Sequence, residues 1–148
     1  DTVATRIDHV VVTVDDLAGA VKHFTENLGF HVQATDDEQP GIAALVTGGV
    51  TIVLVSAAAG PAVADHLRAN GPGIHHVAIE VLNAGYARNA LADTANLTAL
   101  VDDVHGHEQF FSVRDPGSGV QLGYIARTGH RVGVATQNIL DAFTTHEI

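Results

Sequence analysis

Apolar and polar positions alternate through Ile7-Asp8-His9-Val10-Val11-Val12-Thr13-Val14, and the pattern returns sixty-seven residues later in Ile74-His75-His76-Val77-Ala78-Ile79-Glu80-Val81. His76 stands in the second copy where His9 stands in the first. Such runs read as strands, and each leads into a helix. Asp15 or Asp16 can cap a stretch over residues 16–28 with Leu17, Val21, Phe24 and Leu28 on one stripe, and Asn83 can cap a weaker one over 83–93. Further strands are expected at 30–35, 42–47 and 50–56 in the first copy and at 97–101, 108–114 and 120–127 in the second, the last turn being Asp115-Pro116-Gly117-Ser118-Gly119. The order βαβββ therefore occurs twice, over about residues 5–57 and 72–128. A linker helix over 62–70 and a C-terminal helix over 136–147 complete a single α+β domain. Two like units imply approximate twofold symmetry, with one histidine from each meeting at the seam.

With 148 residues the chain is long enough for one domain with a substantial core. Although 46% of its residues are hydrophobic, no apolar run approaches the roughly 20 residues that span a bilayer. Seventeen acidic against seven basic residues give a formal charge of -10, which argues against nucleic acid or an anionic membrane as partner. The absence of cysteine removes disulfides, thiolate nucleophiles and zinc-thiolate sites. No signal-peptide pattern precedes the first strand, so the cytoplasm is the expected location.

Three stretches carry a resemblance: Asn70-Gly71-Pro72-Gly73-Ile74-His75-His76-Val77-Ala78, then Leu100-Val101-Asp102 with Gln109-Phe110-Phe111-Ser112, and the tail from Asn138 to Phe143. Together with the duplicated βαβββ order they resemble the vicinal oxygen chelate superfamily (glyoxalase, bleomycin resistance, dioxygenase). That resemblance implies a cup-shaped mixed sheet around a divalent metal. Within it the chain looks most like the C-terminal module of 4-hydroxyphenylpyruvate dioxygenase and hydroxymandelate synthase, although Gly-Ile-His-His-Val-Ala suits methylmalonyl-CoA epimerase equally well.

On a strand alternate side chains share a face, so His9 should point with Val11 and Thr13, and His76 with Ala78 and Glu80. The resemblance makes His9 and His76 metal ligands; His75 should face away and serve structure. It also places the usual acidic ligand positions at Val53 and Gly123, so both carboxylates are missing. Two neutral imidazoles bind a metal more weakly than two histidines with a carboxylate. Gln121, on the face of Gly123, and Glu80, about 13 Å along the strand from His76, are candidate replacements. Glu108 should face outward if Gln109 and Phe111 face inward. A small residue in place of a ligand carboxylate can also admit an external anion such as halide, by analogy with oxygenases of another fold.

The resemblance further implies a substrate pocket lined by Gln109, Phe111, Gly123, Phe143 and Val53, with the C-terminal helix acting as a lid. Ala43, Ala44, Val53 and Val55 stand where the dioxygenases hold a keto acid, which argues against 4-hydroxyphenylpyruvate itself. The expectation is thus a non-haem iron(II) dioxygenase-like metalloenzyme for a small hydrophobic or aromatic oxygen-chelating substrate, with cobalt, nickel, manganese or zinc as other metals. Two other readings remain: an epimerase or isomerase that stabilises an enolate, and a metal-free binding protein of the resistance type. A homodimer is expected, since a single pair of modules leaves a sheet edge exposed.

Overall fold

In the computed structural model, residues 3–33, 39–93, 97–98, 101–102, 107–112, 114, 117–127 and 136–145 are described. The chain runs β1 (Ala4–Thr13), α1 (Leu17–Lys22) continued by a π-helical turn (His23–Asn27), β2 (His31–Gln33), β3 (Ile42–Thr47) and β4 (Val50–Val55). After a short 3-10 turn come α2 (Pro61–Asn70), β5 (Gly73–Val81), α3 (Ala84–Leu91), β6 (Val101–Asp102), β7 (His107–Phe111), β8 (Leu122–Arg127) and α4 (Thr136–Thr145). Asp16 caps α1 by accepting from the Gly19 amide, and Asn83 caps α3 by accepting from the Tyr86 amide, as their side chains predict. The helix expected over 16–28 changes pitch at His23. Parts of the expected strands 30–35, 97–101 and 108–114 and of the tail helix lie outside the described residues.

Among the described residues the eight strands form one sheet in the order β2-β3-β4-β1-β5-β8-β7-β6. β1 runs parallel to β4 and antiparallel to β5, and β5 runs parallel to β8, so the halves are joined along β1 and β5. The cross-strand pair Val11 and Val53 in the first half corresponds to Ala78 and Gly123 in the second. That correspondence confirms the register by which Val53 and Gly123 were placed as equivalents.

Two irregularities of the β1–β5 ladder matter for function. Between the pairs Ile7 with Ile79 and His9 with Ala78, β1 carries one extra residue, Asp8. Between Val11 with His76 and Val12 with Ile74, the extra residue is His75 on β5. An extra residue in one strand breaks the alternation of side chains, so neighbours can turn to the same side. Asp8 and His9 are accordingly both buried, and so are His75 and His76.

One apolar cluster fills the concave face of the first half. Val11, Ala44, Val53 and Val55 from the sheet pack against Val63 of α2 and Ile139 and Phe143 of α4. A second cluster lies under α3, where Ala84 and Ala87 cover Val81, Phe110 and Ala126. Among the described residues no helix is long and apolar enough to cross a membrane.

Candidate functional site

The concave face of the second half keeps a cleft. It is bounded by His76 and Ala78 of β5, Gln109 and Phe111 of β7, Gly123 to Ile125 and Arg127 of β8, Ile139 of α4, and His9 across the seam. The free space between these side chains holds little more than one water-sized body.

His9 and His76 face one another with ring centroids 6.3 Å apart and planes at 73°. They sit diagonally across the antiparallel pair of β1 and β5, which is what the repeated strand pattern requires. Each is held by its bulged neighbour. His9 Nδ1 lies 2.7 Å from Asp8 Oδ2, within hydrogen-bond distance. The two carboxylate oxygens of Asp8 also accept from Arg127, Oδ1 from Nε at 2.8 Å and Oδ2 from Nη2 at 2.7 Å. Burial alone would raise the pKa of Asp8; the hydrogen bonds from Arg127 and His9 and their charges outweigh it and hold the carboxyl far below the usual range.

On the other side, His76 Nδ1 lies 2.9 Å from His75 Nδ1, so one of the two nitrogens donates to the other. His75 stacks on Phe143 at 3.9 Å with planes 20° apart, and His66 of α2 meets both rings edge-on. The expectation that His75 faces away from the site is therefore corrected: the bulge brings it against His76. Asp8 was missed altogether. Its signal was a polar pair, Asp8-His9 and His75-His76, interrupting both apolar strands at the same place.

Gly123 faces the site as expected. A Cβ there would lie 3.7 Å from His76 Cδ2, but only 2.8 Å from Phe111 Cε1. Phe111, paired directly with Gly123 across β7 and β8, thus occupies the space into which a side chain at 123 would grow. Its ring also meets His76 edge-on at 5.6 Å. Gln109 faces inward and is 6% exposed, and its amide has no hydrogen-bond partner among the described residues. A buried amide without a partner is costly, and it marks where a ligand oxygen would be welcome.

Other expected site residues stand elsewhere. Val53 is in the filled cluster of the first half, where the parallel register puts it against Val11 and away from the cleft. Phe143 belongs to the same cluster and stacks on His75, and it is not among the side chains that bound the cleft. Glu80 keeps the face of His76 but lies at the rim, where it accepts from Arg6 Nε at 3.1 Å. Gln121 is buried and engaged, with its backbone carbonyl accepting from the Val77 amide, and it does not line the cleft.

No group of three His, Cys, Asp or Glu able to hold a metal occurs among the described residues. Asp8 is spent on Arg127 and His9, and positions 53 and 123 carry no donor. A divalent ion between His9 and His76 would find no compensating carboxylate among the described residues, so these do not fit a resident divalent metal.

The sequence pattern of the Glyoxalase/Bleomycin resistance protein/Dioxygenase superfamily matches residues 6–124. The chain belongs to that superfamily. Solved structures of the same fold include methylmalonyl-CoA epimerase from Mycobacterium tuberculosis, at 23% identity and a TM-score of 0.68 over 86% of this chain and 91% of that one. A methylmalonyl-CoA epimerase in complex with methylmalonyl-CoA and NH4+ matches at 23% identity and a TM-score of 0.70, covering 85% and 96%. Hypothetical protein BH1468 from Bacillus halodurans C-125 matches at 20% and 0.69, covering 86% and 98%. No curated protein sequence matches this one. These neighbours include epimerases, where the sequence motifs resembled a dioxygenase module most.

Proposed function

We propose that this protein is an epimerase- or isomerase-type enzyme that moves a proton at a carbon next to a carbonyl, using imidazoles where its relatives use carboxylates. The observation that carries the reading is the facing pair His9 and His76, one from each half, with the unpartnered amide of Gln109 beside them. His9, with Nδ1–H bonded to an ionised carboxylate, has the arrangement of a general base, since Asp8 stabilises the imidazolium formed. It takes the proton from the α-carbon, and the C–H electron pair moves onto the carbonyl oxygen. Gln109 donates an N–H to that oxygen as its negative charge develops. His76 returns a proton to the carbon from the other side. The fold shared with methylmalonyl-CoA epimerases supports a small acyl group as substrate.

Exchange of α-protons for deuterium in D2O, followed by mass spectrometry on methylmalonyl-CoA and a panel of branched acyl thioesters and 2-oxo acids, tests the reading. Exchange should fall by roughly 10² or more in His9→Ala. Absence of exchange across the panel in the folded wild type sinks it. The iron(II) dioxygenase reading would need a third ligand that neither Val53 nor Gly123 provides, and the same holds for cobalt, nickel, manganese or zinc. The metal-free binding reading is favoured by the apolar filling of the first half, and saturable ligand binding without exchange would establish it. We also take the protein to be a homodimer, supported by the exposed Ile7 and Ile74 on the two adjacent central strands. Light scattering should return twice 15.4 kDa; a value of 15.4 kDa counts against it.

A further inference from the structure

The position of Asp8 is unusual for a charged residue. It is an extra residue in a central strand, 7% exposed, and its carboxylate reaches across the sheet to Arg127 at the end of β8. Burying a charge is expensive unless it is paired and hydrogen-bonded, and Asp8 is both. Arg127 meets it with two parallel N–H bonds, a geometry that fixes the carboxylate plane as well as its charge. The exposed Arg6 approaches Oδ1 with Nη2 at 3.8 Å, and the hydrogen-bonded partner on the cleft side is His9 Nδ1, at 2.7 Å.

An ionised carboxylate accepts hydrogen bonds and cannot donate them. Nδ1 of His9 must therefore carry the proton, and in the neutral ring Nε2 is left with its lone pair. We propose that Asp8, clamped by Arg127, is a positioning residue that fixes His9 as the Nδ1–H tautomer and presents its Nε2 lone pair to the cleft. Arg127 itself borders the cleft, so the clamp spans from the first half of the sheet to the last strand of the second. His76 is bonded to another imidazole where His9 is bonded to a carboxylate. Its partner His75 can donate or accept, so His76 can turn an N–H toward the cleft. The first half thus supplies one fixed acceptor, and the second a ring whose bonded neighbour can donate or accept.

The tautomer can be read directly, independently of any activity. Two-bond proton–nitrogen correlation spectra of the uniformly ¹⁵N-labelled protein report which imidazole nitrogen is protonated, and loss of the signal in His9→Ala assigns it. Wherever the spectrum shows a neutral His9 ring, it should show the Nδ1–H pattern alone. The Nε2–H pattern, or a mixture, in the wild type overturns the proposal. Single changes at Asp8 or Arg127 strand a buried charge, so the second arm uses Asp8→Leu/Arg127→Met, which removes both. In that folded variant the His9 signal should shift toward Nε2–H; retention of pure Nδ1–H would show that Asp8 does not fix it, and the proposal fails. The inference concerns His9 alone. A wild type with the Nδ1–H tautomer but no α-proton exchange would overturn the proposed reaction and leave this assignment standing, and the reverse result would separate them the other way.

Discussion

The two halves of the sheet have the same order of elements, and their central pairs correspond position for position, yet one concave face is filled and the other is hollow. In the first half the pair is Val11 and Val53; in the second it is Ala78 and Gly123. The valines meet Val63, Ile139 and Phe143 and close a packed cluster. The smaller pair leaves a cleft, and the ring of Phe111 lies over Gly123 at its floor. A duplicated framework has become a stabilising half and a chemical half through a few methyl groups, because close packing makes even one methylene count.

The comparison is most easily broken at the aromatic residues that occupy each face. Phe143→Ala should cost about 3–5 kcal/mol, since its ring is fully enclosed by the first cluster and by His75. Phe111→Ala should cost less by about 1 kcal/mol or more, because its ring borders space that water can enter. Urea unfolding of both variants decides it; equal losses would mean that the second face is as tightly packed as the first. The same experiment treats α4 as part of the core. Ile139 bounds the cleft while Phe143 anchors the helix, which limits the expected lid to movement around Ile139.

The polar partners of the two histidines differ in the same spirit. Asp8→Asn leaves Arg127 facing an uncharged amide and should destabilise by about 3 kcal/mol, with a clear dependence on pH. Asp8 has a depressed pKa in the folded chain, so its contribution is present above the unfolded value of about 4 and is lost as pH falls toward the folded one. Wild type should therefore lose stability steeply on acidification below about pH 5, and Asp8→Asn should lose less over the same range. Parallel pH profiles for the two proteins would show that Asp8 is not the group responsible.

How much of this was legible beforehand follows from the kind of signal each feature leaves. The repeat and the matched places of the two histidines are consequences of period two, which a sequence displays openly, whereas the inward Gln109 and Phe111 and the equivalence of Val53 and Gly123 were implied by the resemblance. Asp8 and His75 were hidden by the same rule. A bulge breaks the period without changing the composition, so alternation put His75 on the wrong face and gave no reason to single out Asp8. Val53 and Phe143 were placed by resemblance, and no local pattern reveals that α2 and α4 fold back to fill one cup and spare the other. The absent carboxylates were visible, but the ring that took their space was not, because the approach of Phe111 to Gly123 depends on cross-strand pairing.

That last contact supplies the finest test of the comparison. Gly123→Glu alone should gain little metal affinity, because its Cβ would lie 2.8 Å from Phe111 Cε1 and the ring must move first. In Gly123→Glu/Phe111→Ala the ring is gone, and the new side chain leaves the backbone with its Cβ 3.7 Å from His76 Cδ2, in the cleft that His9 also lines. Two imidazoles and a carboxylate compensate charge better than two imidazoles. Calorimetric titration with cobalt(II) should show at least tenfold tighter binding than wild type, which corresponds to about 1.4 kcal/mol. The gain should vanish when His9→Ala or His76→Ala is added. A folded double variant that binds cobalt(II) no better than wild type would mean that the hollow half is not built around the histidine pair.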